Sequence, residues 1–199
     1  MLTIHAAEAS PDTAVLVDGA QIAAVGPYET LLAEHPRARL RRWPGILTPG
    51  LLNPYGPELL EQAYHPDPRE ADRLGTEPLF GSRAQALLRA DASAAGASAR
   101  RGVQRMLAHG TVAIAGELRV RAALDAVRRA GLAFAGRPPV LPGPPAFSPV
   151  PLVLLPRLAA GGQARFAVFD VPDRDTLVRL GAATCVATVV GGRLVHRRA

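Results

Sequence analysis

Histidine is the side chain best suited to proton transfer and metal ligation near neutral pH. The chain carries five: His5, His35, His65, His109 and His196. No two stand at i, i+2 or i, i+4, the spacings that bring two imidazoles to one face of a strand or helix. Scattered surface placement is therefore expected, with His109 beside the terminal carbonyls of a helix. Five carboxylates, Glu58, Glu61, Asp67, Glu70 and Asp72, fall close together. A pair of them could do general acid–base work, but solvated helix faces account for the same residues and are the expectation. The single cysteine, Cys185, opens the apolar run Val186-Ala187-Thr188-Val189-Val190 with no His or Asp beside it. That reads as a buried thiol rather than a nucleophile. The 23 basic residues are all arginine, which excludes Schiff-base lysines, a P-loop lysine and a carbamylated lysine bridging two metals. Nucleophile-elbow, P-loop and dinucleotide-binding fingerprints are absent.

The 199 residues are 48% apolar, enough for one domain with a proper core. The net charge of +6 raises nucleic-acid or anionic-surface binding. The arginines are scattered in sequence, aromatics make up 5%, and no RNA- or DNA-binding signature occurs, so a nucleic-acid partner is not expected. No apolar run approaches the roughly 18–20 residues of a membrane span, and Met1 to Ser10 has no basic or apolar signal-peptide region. One cysteine leaves no disulfide framework. A soluble, cytoplasmic protein without membrane partner or cofactor is expected.

The elements follow from pattern. Ala14–Val17, Asp18-Gly19 and Gln21–Gly26 form a hairpin signature, because Asp-Gly accommodates tight two-residue turns. Glu29–His35 reads as a short helix stopped by Pro36, and Leu40–Leu47 as a strand interrupted at Trp43-Pro44-Gly45. Helical spacing marks 58–64 and 82–88. It also marks Ala99, Val103, Met106 and Leu107, and Val120, Ala123, Leu124 and Val127. Short apolar strands follow at 111–115 and 132–135, giving a strand–helix–strand unit. Eight prolines in 137–156 exclude an element interior and read as an extended spacer. The tail returns to β at 164–171, gives a short helix capped by Asp173, and ends in a hairpin turned by Gly191-Gly192. Neither chain end is self-sufficient as an isolated hairpin. Val15, Val17, Ile22 and Val25 are expected to meet Phe166, Val168, Val189 and Val195 in one sheet system.

Four segments in order, Val15–Pro27, Ile46–Asn53, Gly102–Ala113 and Phe166–Asp170 with Val189–Val195, resemble the metal-dependent amidohydrolase superfamily, within it the imidazolonepropionase-like and aminodeoxyfutalosine-deaminase-like branches. Val15–Pro27 is similar to the family's opening hairpin. Ile46-Leu47-Thr48-Pro49-Gly50-Leu51-Leu52-Asn53 is similar to the run into its first barrel strand. Gly102–Ala113 resembles the helix and second strand, and Phe166–Asp170 with Val189–Val195 the closing strands. The resemblance implies an α/β fold in which a β composite domain, built from residues 1–56 and 151–199, carries a helical, incomplete remnant of a TIM-type barrel. The remnant spans 57–136, and a Pro-rich linker spans 137–150.

The family pattern places His-x-His one residue beyond the Asn or Asp, where both rings face one metal. The corresponding positions here are Tyr55 and Pro57, and neither supplies an imidazole. A complete β/α barrel needs about 200–250 residues, whereas 94 lie from 57 to 150, so about three strands' worth is expected. No catalytic or metal-ligating residue transfers. The candidate binding residues at the former ligand strand are Asn53, Tyr55 and Glu58. The implied function is a catalytically degenerate member with a scaffold, partner-binding or small-molecule-binding role. The alternative is a hydrolase of non-peptide C–N bonds whose site is rebuilt or shared between subunits. Strand edges of an incomplete barrel call for cover by the Pro-rich segment, a second copy or a protein partner.

Overall fold

The first hairpin turns at Gly19-Ala20 rather than at Asp18-Gly19: Asp18 still pairs with Gln21 as the last residue of its strand, and glycine takes the left-handed first turn position. The computed structural model, which describes residues 1–198, places Gly19 there at φ +56°. The hairpin strands are β2 (Ala14–Asp18) and β3 (Gln21–Gly26), and they join β1 (Leu2–Ala7) and β4 (Arg39–Trp43) in the order β3-β2-β1-β4. Helix α1 (Tyr28–Glu34) drops Leu31 onto Ile4, Ala6, Ala14 and Leu16. β1 did not show in the sequence as a strand. It lies between β2 and β4 with both faces covered, so the polar–apolar alternation of a half-exposed strand is missing.

β5 (Ile46–Pro49) and β6 (Leu51–Asn53) are separated by Gly50 and enter different sheets. A Cβ at Gly50 would lie 2.2 Å from Val112 Cγ2, so only glycine lets the chain cross from one sheet to the next at this contact. After a π-helical turn at Glu58–Gln62 come α2 (Ala71–Leu74), α3 (Gly81–Ala90) and α4 (Ala92–Ala108). Asp91 caps α4, its side chain accepting from Ser93 N at 2.7 Å. Then follow β7 (Thr111–Ala115), α5 (Arg121–Ala130) and β8 (Ala133–Ala135). β6, β7 and β8 are parallel neighbours, and β6, assigned from sequence to the composite segment 1–56, thus shares a sheet with strands of 57–136. Val153–Leu154, β9, pairs antiparallel on the other side of β6. The sheet β8-β7-β6-β9 is open among the described residues, and no closed barrel forms. Its core joins Leu59, Leu60, Val103, Met106, Leu107, Ile114 and Val127.

The tail supplies β10 (Phe166–Phe169), α6 (Arg174–Leu180, capped by Asp173), β11 (Cys185–Val190) and β12 (Arg193–Arg197). These strands and β5 form the sheet β12-β11-β10-β5, all neighbours antiparallel. The two chain ends thus share a core, but chiefly face to face. Val15, Val17, Ile22 and Trp43 of one sheet pack on Phe166, Val168, Ala187 and Val189 of the other. Val195 departs from the expected set and packs toward the helical core instead. The first hairpin is laced to the segment leading into β10 by Ile22 N–H to Gly162 O at 2.8 Å and Ala164 N–H to Ala20 O at 2.9 Å. The two hairpin turns touch: a Cβ at Gly192 would fall 1.8 Å from the Gly19 carbonyl oxygen. Among the described residues no helix is long and apolar enough to cross a membrane.

Candidate functional site

β6 delivers Asn53 to its C-terminal end, and the following turn brings Tyr55 and Glu58 beside it. All three are engaged. Asn53, 1% exposed, accepts from the Tyr55 backbone N–H at 3.0 Å and donates from Nδ2 to the Ala146 carbonyl at 2.9 Å. The Tyr55 hydroxyl, on a side chain equally buried, donates to the Gly143 carbonyl. Arg137 Nη2 lies 2.7 and 2.6 Å from the two oxygens of Glu58, and its Nε donates to the Pro54 carbonyl at 3.2 Å. The three candidate residues are therefore brought together, and every partner outside their own turn comes from 137–146. The Pro-rich segment does more than span a gap. It crosses the end of the β6 strand and takes up the polar groups exposed there.

The other sequence candidates resolve into structural roles. Glu61 Oε1 accepts from the backbone N–H of Arg119 and of Val120, both at 2.7 Å, at the start of α5. Asp67 and Glu70 form a capping box, and Asp67 also meets Arg101 at 3.2 Å. Glu70 accepts from the Tyr64 hydroxyl at 2.8 Å. These contacts correct the expectation of merely solvated carboxylates: the backbone amides and hydroxyl they satisfy are spread over several elements. His5 and His65 correct the expectation of surface histidines. His65 is fully buried, with Nε2 2.6 Å from the Leu59 carbonyl and Nδ1 without a partner among the described residues. Its pKa is lowered, by burial foremost. His109 lies as expected at the end of α4, Nδ1 2.7 Å from the Arg105 carbonyl. Cys185 is buried beside Thr188, and burial pushes its thiol up to about 11, which keeps it protonated and unreactive at neutral pH.

A metal of the kind the resemblance implies does not fit these residues. Pro57 has no donor, the Tyr55 hydroxyl is committed to Gly143, and among the described residues no three of His, Cys, Asp and Glu converge on a point. The arginines, scattered in sequence, are not scattered in space. Arg39 and Arg41 of β4 meet Arg193 of β12 around a cleft floored by His5. Sequence separation hid this group; only the register of β1 with β4 and the packing of the two sheets assemble it.

Residues 14–38 match the family model of the imidazolonepropionase-like composite domain of bacteria. The match falls on the hairpin and α1. No curated protein matches the chain in sequence. Among solved structures, ochratoxinase from A. niger is matched at 16% identity and a TM-score of 0.42, over 68% of this chain and 31% of that one. N-isopropylammelide isopropylaminohydrolase from Burkholderia multivorans is matched at 18% and 0.45, over 68% and 37%. Guanine deaminase from Bradyrhizobium japonicum is matched at 18% and 0.38, over 62% and 27%. The chain thus spans about a third of the length of the solved structures it matches.

Proposed function

We propose that this chain is a catalytically degenerate, imidazolonepropionase-like protein that works by binding rather than by turnover. On this reading residues 1–56 and 151–199 act as one β composite unit, 57–136 is a barrel remnant, and 137–150 is a strap over the former ligand strand. The observation that carries it is the engagement of Asn53, Tyr55 and Glu58 by Ala146, Gly143 and Arg137. In an active member of the family the same strand end would have to face substrate. The free edge of β8, where Phe134 stands about half exposed, is the place a partner chain would cover.

The test uses the whole chain, purified without a histidine tag from zinc-supplemented medium. Metal at trace level and no ammonia release from guanine or cytosine support the reading. About one zinc per chain surviving dialysis, or ammonia release that Tyr55→Phe alters, overturns it in favour of a hydrolase of non-peptide C–N bonds.

A further inference from the structure

Thr3, His5 and Ala7 of β1 stand in register with Arg39, Arg41 and Trp43 of β4. Paired residues share a face, so all six side chains point toward the second sheet. At one end of that face Ala7 and Trp43 are covered by the shared core. At the other the sheets part, leaving a cleft of about 340 Å³. Its walls carry Met1, Arg39, Arg41 and Arg193, and His5 lies in its floor. Arg197 adds a further guanidinium nearby, 5.9 Å from the centre of the Trp43 ring.

Among the described residues no carboxylate pairs with Arg39, Arg41, Arg193 or Arg197; Asp18, between the cleft-lining Val17 and Gly19, faces the Met1 amino group at 3.6 Å. The cations also press on one another. The Arg41 pKa is lowered by partial burial and then by repulsion from Arg39 and Arg197. Unpaired like charges at the mouth of a concavity favour an anion there.

The floor points the same way. His5 is 2% exposed. Its Nδ1 accepts from Trp43 Nε1–H at 3.3 Å. Burial foremost, then Arg41 and Arg39, hold its pKa down to about 4, so at neutral pH the ring is uncharged and its proton sits on Nε2. That Nε2–H, on a ring lining the cleft, has no protein acceptor among the described residues.

We propose that this cleft binds a phosphate monoester of a small organic molecule. A monoester dianion offers three acceptor oxygens, matching two or three guanidinium forks and one imidazole N–H. A single carboxylate would leave most of those donors unused. A nucleic-acid backbone fits less well: the charge lies in one concavity rather than along a stripe, and the one aromatic ring in the lining, His5, is buried against Trp43 and Phe166, leaving no open face for a base. The cleft shares no residue with the group at the end of β6, so metal content and hydrolase assays leave this proposal unaffected.

Trp43 is the chain's single tryptophan and touches His5, so its emission reports on the cleft. The probe is ribose 5-phosphate, with ribose as the uncharged control, at about 0.15 M salt. Saturable change in emission is expected with the phosphate ester and none with ribose. Arg41→Gln and Arg193→Gln are expected to weaken binding about tenfold or more while keeping the wild-type unfolding midpoint, and Arg157→Gln, at an exposed arginine outside the cleft lining, to leave binding unchanged. No saturation at millimolar ester overturns the proposal, as does equal affinity in the cleft variants. Tighter binding of poly(U) RNA through the same arginines also overturns it, assigning the cleft to a nucleic-acid backbone.

Discussion

Asn53 Nδ2 lies 2.9 Å from the carbonyl oxygen of Ala146, a residue 93 positions further along the chain. The same amide's oxygen accepts from the Tyr55 N–H, so one buried side chain both shapes the turn after β6 and fastens the Pro-rich strap. Asn53→Ala leaves a half-buried carbonyl and a buried N–H unmatched, at a cost of about 1–3 kcal/mol. Urea unfolding should show that loss, and thermolysin should cut faster before Phe147. Unchanged cleavage would mean that the strap is held by other contacts.

Glu61 makes a second, independent prediction. Its Oε1 takes the backbone N–H groups of Arg119 and Val120, the two residues just before α5, and so pins the approach to that helix from 59 residues away. Glu61→Ala should cost about 1 kcal/mol, with exchange of the Arg119 and Val120 amides accelerated. Equal amide exchange in variant and wild type would remove Glu61 from that role.

Local pattern made the helices and hairpins legible. Val15, Val17 and Ile22 alternate on either side of Asp18-Gly19, and Ala99, Val103, Met106 and Leu107 recur at helical spacing. β1 was hidden because His5, a polar residue, faces the core there while Ala6 and Ala7 lend no β-branched signal. The strap was read as a spacer because proline content reports only that regular structure is impossible; it says nothing of which carbonyls, such as those of Gly143 and Ala146, find donors elsewhere. The candidate site was legible in part: Tyr55 and Pro57 declared the missing imidazoles, but the partners of Asn53 and Glu58 lay some eighty to ninety residues away. Arg39, Arg41 and Arg193 became a group only through strand register and sheet packing.

The buried imidazole of His5 predicts a pH dependence of stability. Its folded pKa is about 4, against 6.5 in the unfolded chain. Between these values the unfolded state takes up a proton that the folded state refuses, so stability falls as pH falls from about 6.5. The loss is complete below about pH 4 and amounts to about 3 kcal/mol. His65 and His196 are shifted in the same direction and steepen the slope. Urea titrations from pH 7 to pH 4 should therefore show a shallower fall in His5→Leu than in wild type; equal slopes would show that His5 is not protonated in the unfolding reaction.

Phe166 tests whether the two chain ends stand or fall together. It is fully buried, paired with Pro49 on one side and Val189 on the other. Its ring meets the edge of His5 at 4.9 Å between centroids. One residue thus belongs to the tail's sheet by backbone pairing and to the N-terminal sheet by side-chain packing. Phe166→Ala removes the ring from both and should cost about 3–5 kcal/mol, a large share of the roughly 5–15 kcal/mol that holds a domain folded. Because Val15 and Val17 lean on the same cluster as Ala187 and Val189, hydrogen exchange should quicken in β2 and in β11 to a similar degree. Phe166→Leu, which refills most of the volume, should restore protection in both strands at once. If β2 keeps its native protection while β11 loses it, each sheet is stable alone, and residues 1–56 and 151–199 do not form one composite unit.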